Sequence, residues 1–286
     1  MRTLIAPVFS ACCLLFSGGA NAAALVASYN FNNTLAANQA GVAALTAIDP
    51  VGANGFETAV VNGVSQRVYR WGGSGSSAAE QGGLALNATG LVSYDNYSIE
   101  MVFAFDSAAQ FGGGWRRIVD TQNRQSDNGF YVDPNNFLQV YPVISGTTEF
   151  TNMTYRSVVM TNFVVNGVRE VKAYLDGQLE LQSDTDQLNL SNANNPNHLL
   201  HFFADNVAGP AQQEWASGRI ASLKLFDGVV VPGAVVPEPG SLALALVALL
   251  AAAVPHAAGP SSWPDKNRGC LRKGASGQAP QKSGFT

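Results

Sequence analysis

Short segments in which apolar and polar residues alternate restrict the fold of this chain more than any other feature. In Tyr97–Phe105, YSIEMVFAF, every second residue is large and apolar, which places four apolar side chains on one face. Alternation with a period of two is typical of β-strands that are half buried in a sheet. The segments with this pattern are LVASYNF, YSIEMVFAF, FLQVYPV, REVKAYL and GRIASLKLF. In the last of them, the offset between Ile220 and Leu223 predicts a β-bulge.

The turn residues between these segments agree with a sheet of antiparallel strands. Asp176-Gly177 separates two apolar runs, and Asn-Gly occurs within VNGV at both Val61–Val64 and Val165–Val168. Asp-Gly and Asn-Gly favour the positive φ angles of a two-residue hairpin turn. Helical periodicity is nearly absent before Leu242. The body, residues 23–231, is therefore predicted to be an all-β antiparallel sandwich.

Composition excludes several classes of function. The chain has 286 residues and three cysteines, Cys12, Cys13 and Cys270, so the body cannot contain a disulfide, a cysteine-ligated zinc site or a thiol nucleophile. Between Leu25 and Val231 there are 10 Lys and Arg against 18 Asp and Glu residues. Nucleic-acid binding depends on clustered cations that neutralise phosphates. We therefore expect no nucleic-acid partner.

Several segments, in order along the body, resemble laminin-G-like domains. They are LVASYNFNNTLA, YSIEMVFAFD, RRIVDTQNRQSDNGFYVDPNNFLQVYP, VKAYLDGQLELQSD and HLLHFFADNVAG with the closing EWASGRIASLKLFDG. The resemblance spans about residues 25–228. It implies a concanavalin A-like jelly roll, in which two antiparallel sheets pack face to face.

The carboxylates of the predicted strands do not form a recognisable catalytic motif. Polysaccharide-cutting enzymes on such scaffolds place paired carboxylates in a cleft. Glu100 and Asp106 lie six positions apart, but only Glu100 falls within the regular alternation. We expect a surface glutamate and a strand-ending aspartate. The chain is therefore predicted not to be an enzyme, with a glycoside hydrolase or lyase on the same fold as the alternative.

Calcium is the cofactor that the sequence leaves open, although none is required. Calcium takes oxygen ligands from carboxylates, amides and backbone carbonyls, often in loops. Asp205 and Asn206 in FFADN resemble the acidic loop of laminin-G-like domains, with Asn206 where a second aspartate is common. Asp120 and Asp127 in DTQNRQSDNG add further oxygen ligands. Turn-capping by these side chains is the alternative.

Three tryptophans provide the candidate glycan contacts. Trp71, Trp115 and Trp215 lie in or beside glycine-rich loops. Sugar sites combine an aromatic platform with polar side chains in a shallow cleft, so these rings could stack against a sugar. They could equally fill the ends of the sandwich, in which case a structural coat protein without a ligand becomes the better interpretation.

The N-terminus has the layout of a secretory signal peptide. Arg2 precedes an apolar run that ends at Phe16, and Ala20-Asn21-Ala22 supplies small residues for cleavage after Ala22. Residues 1–22 are therefore predicted to be a signal helix that exports the protein across the inner membrane.

The C-terminal part resembles the PEP-CTERM sorting signal of exopolysaccharide-producing bacteria. Within the Pro/Gly linker 232–241, the triplet Pro237-Glu238-Pro239 precedes the apolar run 242–254, which is predicted to be a short helix. The resemblance implies an exosortase-type membrane enzyme as partner and transient anchoring through this helix. Residues 255–286 replace the usual basic terminus and are predicted to be disordered; a shifted reading frame or a genuine extension would both account for them.

Together these features predict an exported protein of the cell surface or extracellular matrix. An exosortase would sort it, and its task would be adhesion or association with extracellular polysaccharide.

Overall fold

A computed structural model describes residues 23–73, 77–107, 112–208 and 213–233. The predicted signal helix 1–22, the triplet Pro237-Glu238-Pro239, the apolar run 242–254 and the tail 255–286 lie outside these residues. Among the described residues, no helix has the length and apolar character needed to cross a membrane.

The described residues form fifteen strands, and their only helical elements are two single 3₁₀ turns at Ala78–Glu80 and Gly112–Gly114. The strands are β1 (Ala24–Tyr29), β2 (Thr46–Ile48), β3 (Gly55–Val61), β4 (Val64–Trp71), β5 (Gly83–Asn87), β6 (Tyr97–Phe105), β7 (Arg116–Asp120), β8 (Gly129–Val132), β9 (Phe137–Tyr141), β10 (Ile144–Glu149), β11 (Arg156–Val165), β12 (Val168–Leu175), β13 (Gln178–Asp184), β14 (Leu199–Phe202) and β15 (Gly218–Asp227).

These strands form two antiparallel sheets. The eight-stranded sheet has the order β13-β12-β11-β6-β15-β4-β3, with β1 also pairing with β15. The seven-stranded sheet has the order β10-β9-β8-β7-β14-β5-β2. The prediction of an all-β sandwich of antiparallel sheets is confirmed, whereas the finer assignment to the jelly roll stays a prediction.

The core lies between the two sheets and follows the alternation of the sequence. In β6, the apolar face of Ile99, Met101, Phe103 and Phe105 is fully buried. The seven-stranded sheet contributes the inward residues of β8 and β9 to the same core, among them Phe130 and Val140. Intervening residues of these strands therefore lie on the outer faces.

The three predicted hairpin turns are confirmed. Each central pair, Asn62-Gly63, Asn166-Gly167 and Asp176-Gly177, has positive φ at both residues, between 48° and 84°. This conformation suits the twist of a two-residue hairpin. The predicted irregularity of the last strand is also present, as a register shift between Ile220 and Ser222 in the pairing of β15 with β6.

A carboxylate links the two sheets at one edge. Glu180 of β13 accepts hydrogen bonds from the backbone N–H groups of Thr147, at 3.1 Å, and Thr148, at 2.9 Å, both in β10. Burial acts to raise the pKa of Glu180, but the hydrogen bonds from Thr148 and Thr147 outweigh it and lower that pKa. The ionised carboxylate therefore satisfies backbone donors of an edge strand that would otherwise be open to pairing.

Candidate functional site

Two of the three loop tryptophans are part of the protein interior. Trp71, at the end of β4, is fully buried, and its ring stacks on Phe203 with centroids 3.7 Å apart. Its indole N–H donates to the carbonyl oxygen of Ala216 at 2.8 Å. Trp215 is 4% exposed and packs so closely on Gly73 that a Cβ there would lie 2.4 Å from the indole ring. These positions correct the predicted glycan contact for Trp71 and Trp215, because buried rings have no free face for a sugar.

Trp115 has a different environment, on the outer face of the seven-stranded sheet. It lies just before β7, is partly exposed, and makes edge-to-face contacts with Tyr131 at 5.6 Å and Tyr141 at 5.2 Å between ring centroids. Tyr141 is also partly exposed, whereas Tyr131 is fully buried beneath the pair. We call Trp115, Tyr131 and Tyr141 the aromatic patch.

The strand register explains how the aromatic patch forms. Tyr131 in β8 pairs with Gln139 in β9, and Gly129 pairs with Tyr141, so these residues share the outer face. Residues opposite one another in an antiparallel pair have close Cβ atoms, and diagonal neighbours remain within reach of aromatic rings. The partly exposed amide of Gln139 thus lies opposite Tyr131 and on the same face of β9 as Tyr141, two positions away. The site combines aromatic surface with a polar side chain able to donate and accept hydrogen bonds.

A buried group of charges lies directly beneath Tyr131. Arg117 is fully buried, and its guanidinium lies 4.5 Å from the centroid of the Tyr131 ring. Its ion pairs are with Asp120 at 2.7 Å, Asp205 at 2.9 Å and Asp127 at 3.7 Å. Breaking a buried ion pair by removing one partner is strongly destabilising, so Arg117 is a structural centre for the loops that carry these aspartates. We call Arg117 and its carboxylates, together with Glu214, the Arg117 cluster.

The predicted calcium ligands divide into separate environments. Asp127 and Asp205 meet, but their third partner is Glu214, with one oxygen of each carboxylate within 4.8 Å of the others. Asp120 instead accepts hydrogen bonds from the backbone N–H groups of Gln122, at 3.2 Å, and Arg124, at 2.8 Å. The turn-capping alternative therefore describes Asp120.

Asn206 and His201 complete the surroundings of these carboxylates. The side-chain amide of Asn206 donates to the carbonyl oxygen of Ala208 at 2.8 Å. His201, in β14, places Nδ1 3.4 Å from Asp120. Both side chains are buried. Because its amide is bonded to Ala208, the predicted ligand Asn206 binds its own loop.

Glu214 is the residue of this site that the sequence interpretation missed. It is 8% exposed, and burial is the main cause that raises its pKa to about 9, with the neighbouring Asp127 and Asp205 adding to the shift. Burial likewise raises the pKa of Asp205, although Arg117 opposes this. Glu214 is therefore protonated at neutral pH and donates to Asp127. Its place beside Trp215 in QQEWASG was the available signal, but its partners are distant in the sequence.

Asp127, Asp205 and Glu214 fit a calcium ion poorly, because other groups of the protein already bind the oxygens of Asp205. Asp205 uses one oxygen for Arg117 and the other for the backbone N–H of Glu214 at 2.9 Å. Calcium takes six to eight oxygen ligands, and an adjacent guanidinium opposes a divalent cation. Asp127 and Glu214 could offer oxygens to a cation only after Glu214 loses its proton.

The other carboxylates considered for catalysis each bind a cation. Glu100 pairs with Lys224 at 2.7 Å, and Asp106 pairs with Arg219. Arg219 also pairs with Glu57. The expected surface glutamate and strand-ending aspartate are compatible with these ion pairs, since both side chains are partly exposed and Asp106 follows the end of β6.

Comparisons with known proteins give distant structural likenesses. No family model and no curated protein matches the chain. One such likeness is a structure of botulinum neurotoxin type C, whose cell entry is described as dependent on interaction with two ganglioside molecules. Its sequence identity to this chain is 13% and the TM-score is 0.48; the match covers 79% of this chain and 51% of the neurotoxin chain. The binding domain of botulinum neurotoxin DC, in complex with rat synaptotagmin II, is 14% identical with a TM-score of 0.44, covering 72% and 49%. Trypanosoma rangeli sialidase is 14% identical with a TM-score of 0.37, covering 62% and 28%. This chain thus spans about half the length of the neurotoxin chains, and the ligands named are those of the neurotoxins.

Proposed function

We propose that this chain is an exported, non-catalytic glycan-binding protein of the cell surface or extracellular matrix, and that the aromatic patch is its binding site. One observation carries the proposal: Trp115 and Tyr141 are partly exposed side by side above a buried tyrosine. Aromatic rings held in place by packing, with an amide such as Gln139 beside them, are the chemistry of a sugar site. Edge-to-face contacts also hold the rings in one orientation before a ligand arrives.

The state of the carboxylates supports a non-catalytic role. A glycosidase needs two carboxyl groups about 5–9.5 Å apart on either side of a glycosidic bond. One oxygen of each of Asp127, Asp205 and Glu214 lies within 4.8 Å of the others, and two of the three residues are buried. This separation favours a shared proton over an acid and base that flank a substrate.

A carbohydrate-active enzyme is the second candidate, and one observation favours it. Glu214 holds a proton at neutral pH beside the carboxylate of Asp127, and a general acid needs a raised pKa of this kind. Release of reducing ends or unsaturated products from the producer's own exopolysaccharide would support this candidate, provided that Glu214→Gln abolishes the release.

The proposed function needs no cofactor. Calcium would bind at Asp127, Asp205 and Glu214 only by displacing the proton of Glu214. It would also compete with the positive charge of Arg117 for the carboxylate of Asp205. Its role there would be to hold the loops of the Arg117 cluster together.

Export and sorting are supported by the sequence of the two ends. The signal-peptide layout of residues 1–22 and the combination of Pro237-Glu238-Pro239 with the apolar run 242–254 support delivery by an exosortase-type enzyme. The membrane would hold the chain only transiently, through that run. Mass spectrometry of the mature protein tests this: we expect an N-terminus at Ala23 and a C-terminus near Pro237, whereas a mature chain that retains residues 242–286 would contradict sorting.

Retention on immobilised glycans tests the binding site. We expect the wild-type protein to be retained on the producer's exopolysaccharide, and Trp115→Ala to lose at least tenfold in affinity, because one stacking ring is removed. Tyr94→Ala is the matched control, since Tyr94 is also partly exposed but stacks on His198, at 3.6 Å, away from the aromatic patch. Equal loss in both variants, or no retention of the wild type on any glycan, would contradict the proposal.

A further inference from the structure

We propose that the aromatic patch selects uncharged glycans and discriminates against glycans that carry carboxylates. This inference rests on the proposed function and specifies its ligand class. It follows from the charges of the described residues around the patch. The partly exposed charge that touches the patch is negative, and the partly exposed Arg124 beside the Arg117 cluster is bound to the carbonyl oxygen of Asp205 and the side chain of Gln81.

The segment that forms most of the aromatic patch contains no cation. From Gln125 to Tyr155 the sequence has three carboxylates, Asp127, Asp133 and Glu149, and no Lys, Arg or His. This segment includes β8, β9 and β10, the three strands at this side of the seven-stranded sheet. A sugar carboxylate bound over these strands would therefore find no opposite charge on the strands themselves. The cation that follows the segment, Arg156, is bound to Asp176 and to the carbonyl oxygen of Glu149.

The two arginines next to Trp115 are both committed to the interior. Arg117 is fully buried among its carboxylates. Arg116 is fully buried on the core side, 5.4 Å from the ring centroid of Phe105, and donates to the side-chain carbonyl of Asn136 at 2.7 Å. Recognition of a carboxylate commonly uses an exposed guanidinium that can bind it with two parallel hydrogen bonds. Neither arginine can do this from its buried position.

The loop that precedes Trp115 adds no cation either. Residues 108–111, which the structure does not describe, have the sequence Ala-Ala-Gln-Phe. No position of that loop could therefore bring a cation to the patch, whatever its conformation.

The patch is in contact with a negative charge. Asp127 is partly exposed, and the hydroxyl of Tyr131 lies 2.9 Å from its carbonyl oxygen and 3.5 Å from its carboxylate. Repulsion between like charges about 8 Å apart near a protein surface weakens binding by about threefold or more per sugar carboxylate at low salt. Salt screens this repulsion over about 10 Å at 0.1 M ionic strength. A neutral sugar meets no such penalty and keeps its contacts with the rings.

Matched polymers provide the test. The full-length protein is applied to pairs of immobilised polymers that differ only in added carboxylates, namely dextran and carboxymethyl-dextran, cellulose and carboxymethyl-cellulose, and curdlan and carboxymethyl-curdlan. We expect at least threefold stronger retention on the neutral member of any pair that is retained, with the difference shrinking in 0.5 M NaCl. Equal or stronger retention on the carboxymethyl member at low salt would overturn the inference.

Two charge variants separate a local effect from the net negative charge of the protein. Ser145→Lys adds a cation on the outer face of β10, where Ser145 is exposed and pairs with Gln139. Val60→Lys adds the same charge in the other sheet, where Val60 is 66% exposed. We expect Ser145→Lys to reduce the preference for neutral polymers and Val60→Lys to leave it unchanged. The same reduction in both variants would mean that net charge alone causes the preference, which contradicts selection at the patch.

Trp115→Ala distinguishes failure of this inference from failure of the proposed function. Retention of neutral polymers that Trp115→Ala does not weaken, or no retention of any polymer, would refute the binding site itself. Retention that depends on Trp115 but is equal for neutral and carboxymethyl polymers would refute only the selectivity.

Discussion

The replacement Glu214→Gln tests the buried proton of the Arg117 cluster. In the unfolded chain the pKa of Glu214 is near its ordinary value of 4.5, whereas in the folded protein it is about 9. Between these values the folded protein binds one proton more than the unfolded chain. The contribution of this proton to the free energy of unfolding is therefore fully present below about pH 4.5, and it is lost as pH rises toward 9. Glutamine keeps an N–H donor for Asp127 but has no proton to lose.

The size of the effect follows from the single proton. One proton bound only by the folded state changes the free energy of unfolding by about 1.4 kcal/mol per pH unit. From pH 6 to pH 8, the wild-type protein should thus lose about 3 kcal/mol relative to Glu214→Gln. For a domain of this size, this corresponds to a relative fall in melting temperature of about 5–10 °C.

The assay is thermal unfolding followed by circular dichroism, from pH 6 to pH 8, in buffers that contain EDTA. Glu149→Gln is the control, because Glu149 is an exposed carboxylate in β10 and its replacement should leave the pH profile of the wild type unchanged. Parallel profiles for the wild type and Glu214→Gln would refute the reasoning, since they would mean that Glu214 is ionised throughout this range.

Three further predictions concern packing, edge closure and metal binding. Trp71→Ala should lower the free energy of unfolding, measured in urea, by about 3–5 kcal/mol, because Trp71 is fully buried. Trp115→Ala should lower it by only about 1 kcal/mol, because Trp115 is partly exposed. Equal losses would contradict the assigned positions. Glu180→Gln should cost about 1 kcal/mol at pH 7 by weakening two charge-assisted hydrogen bonds to β10. Because the pKa of Glu180 is lowered by folding, this loss should vanish as pH falls below about 4, and a loss that persists in acid would count against it. Millimolar calcium should leave the melting temperature at pH 7 unchanged, since Glu214 holds a proton; a rise that Glu214→Gln abolishes would instead establish a calcium site.

The strands and their turns could be predicted because their signals are local. Asp176-Gly177 adopts positive φ because glycine and aspartate tolerate that conformation, whatever surrounds the turn. The alternation of Tyr97–Phe105 likewise identifies a strand and its buried face without knowledge of its neighbours. The register shift near Ile220 could also be predicted from the sequence, because a β-bulge shifts the alternation of apolar residues by one position.

The roles of the tryptophans could not be predicted in the same way. Trp71, Trp115 and Trp215 all lie near glycines in the sequence, yet two are buried and one is partly exposed. The burial of Trp71 depends on Phe203 and Ala216, which lie more than 130 positions away. No local pattern carries that information.

By itself, therefore, the sequence determined the strands, the hairpins and the absence of cysteine chemistry from the body. Only the tertiary structure decided which aromatic rings meet at the surface and which charges meet in the interior. Arg117 joins Asp205 across 88 positions, and Glu214 completes the same cluster from a third segment. The physical reason is that alternation and turn residues act over a few positions, whereas burial and ion pairing depend on how distant strands come together in the sheet.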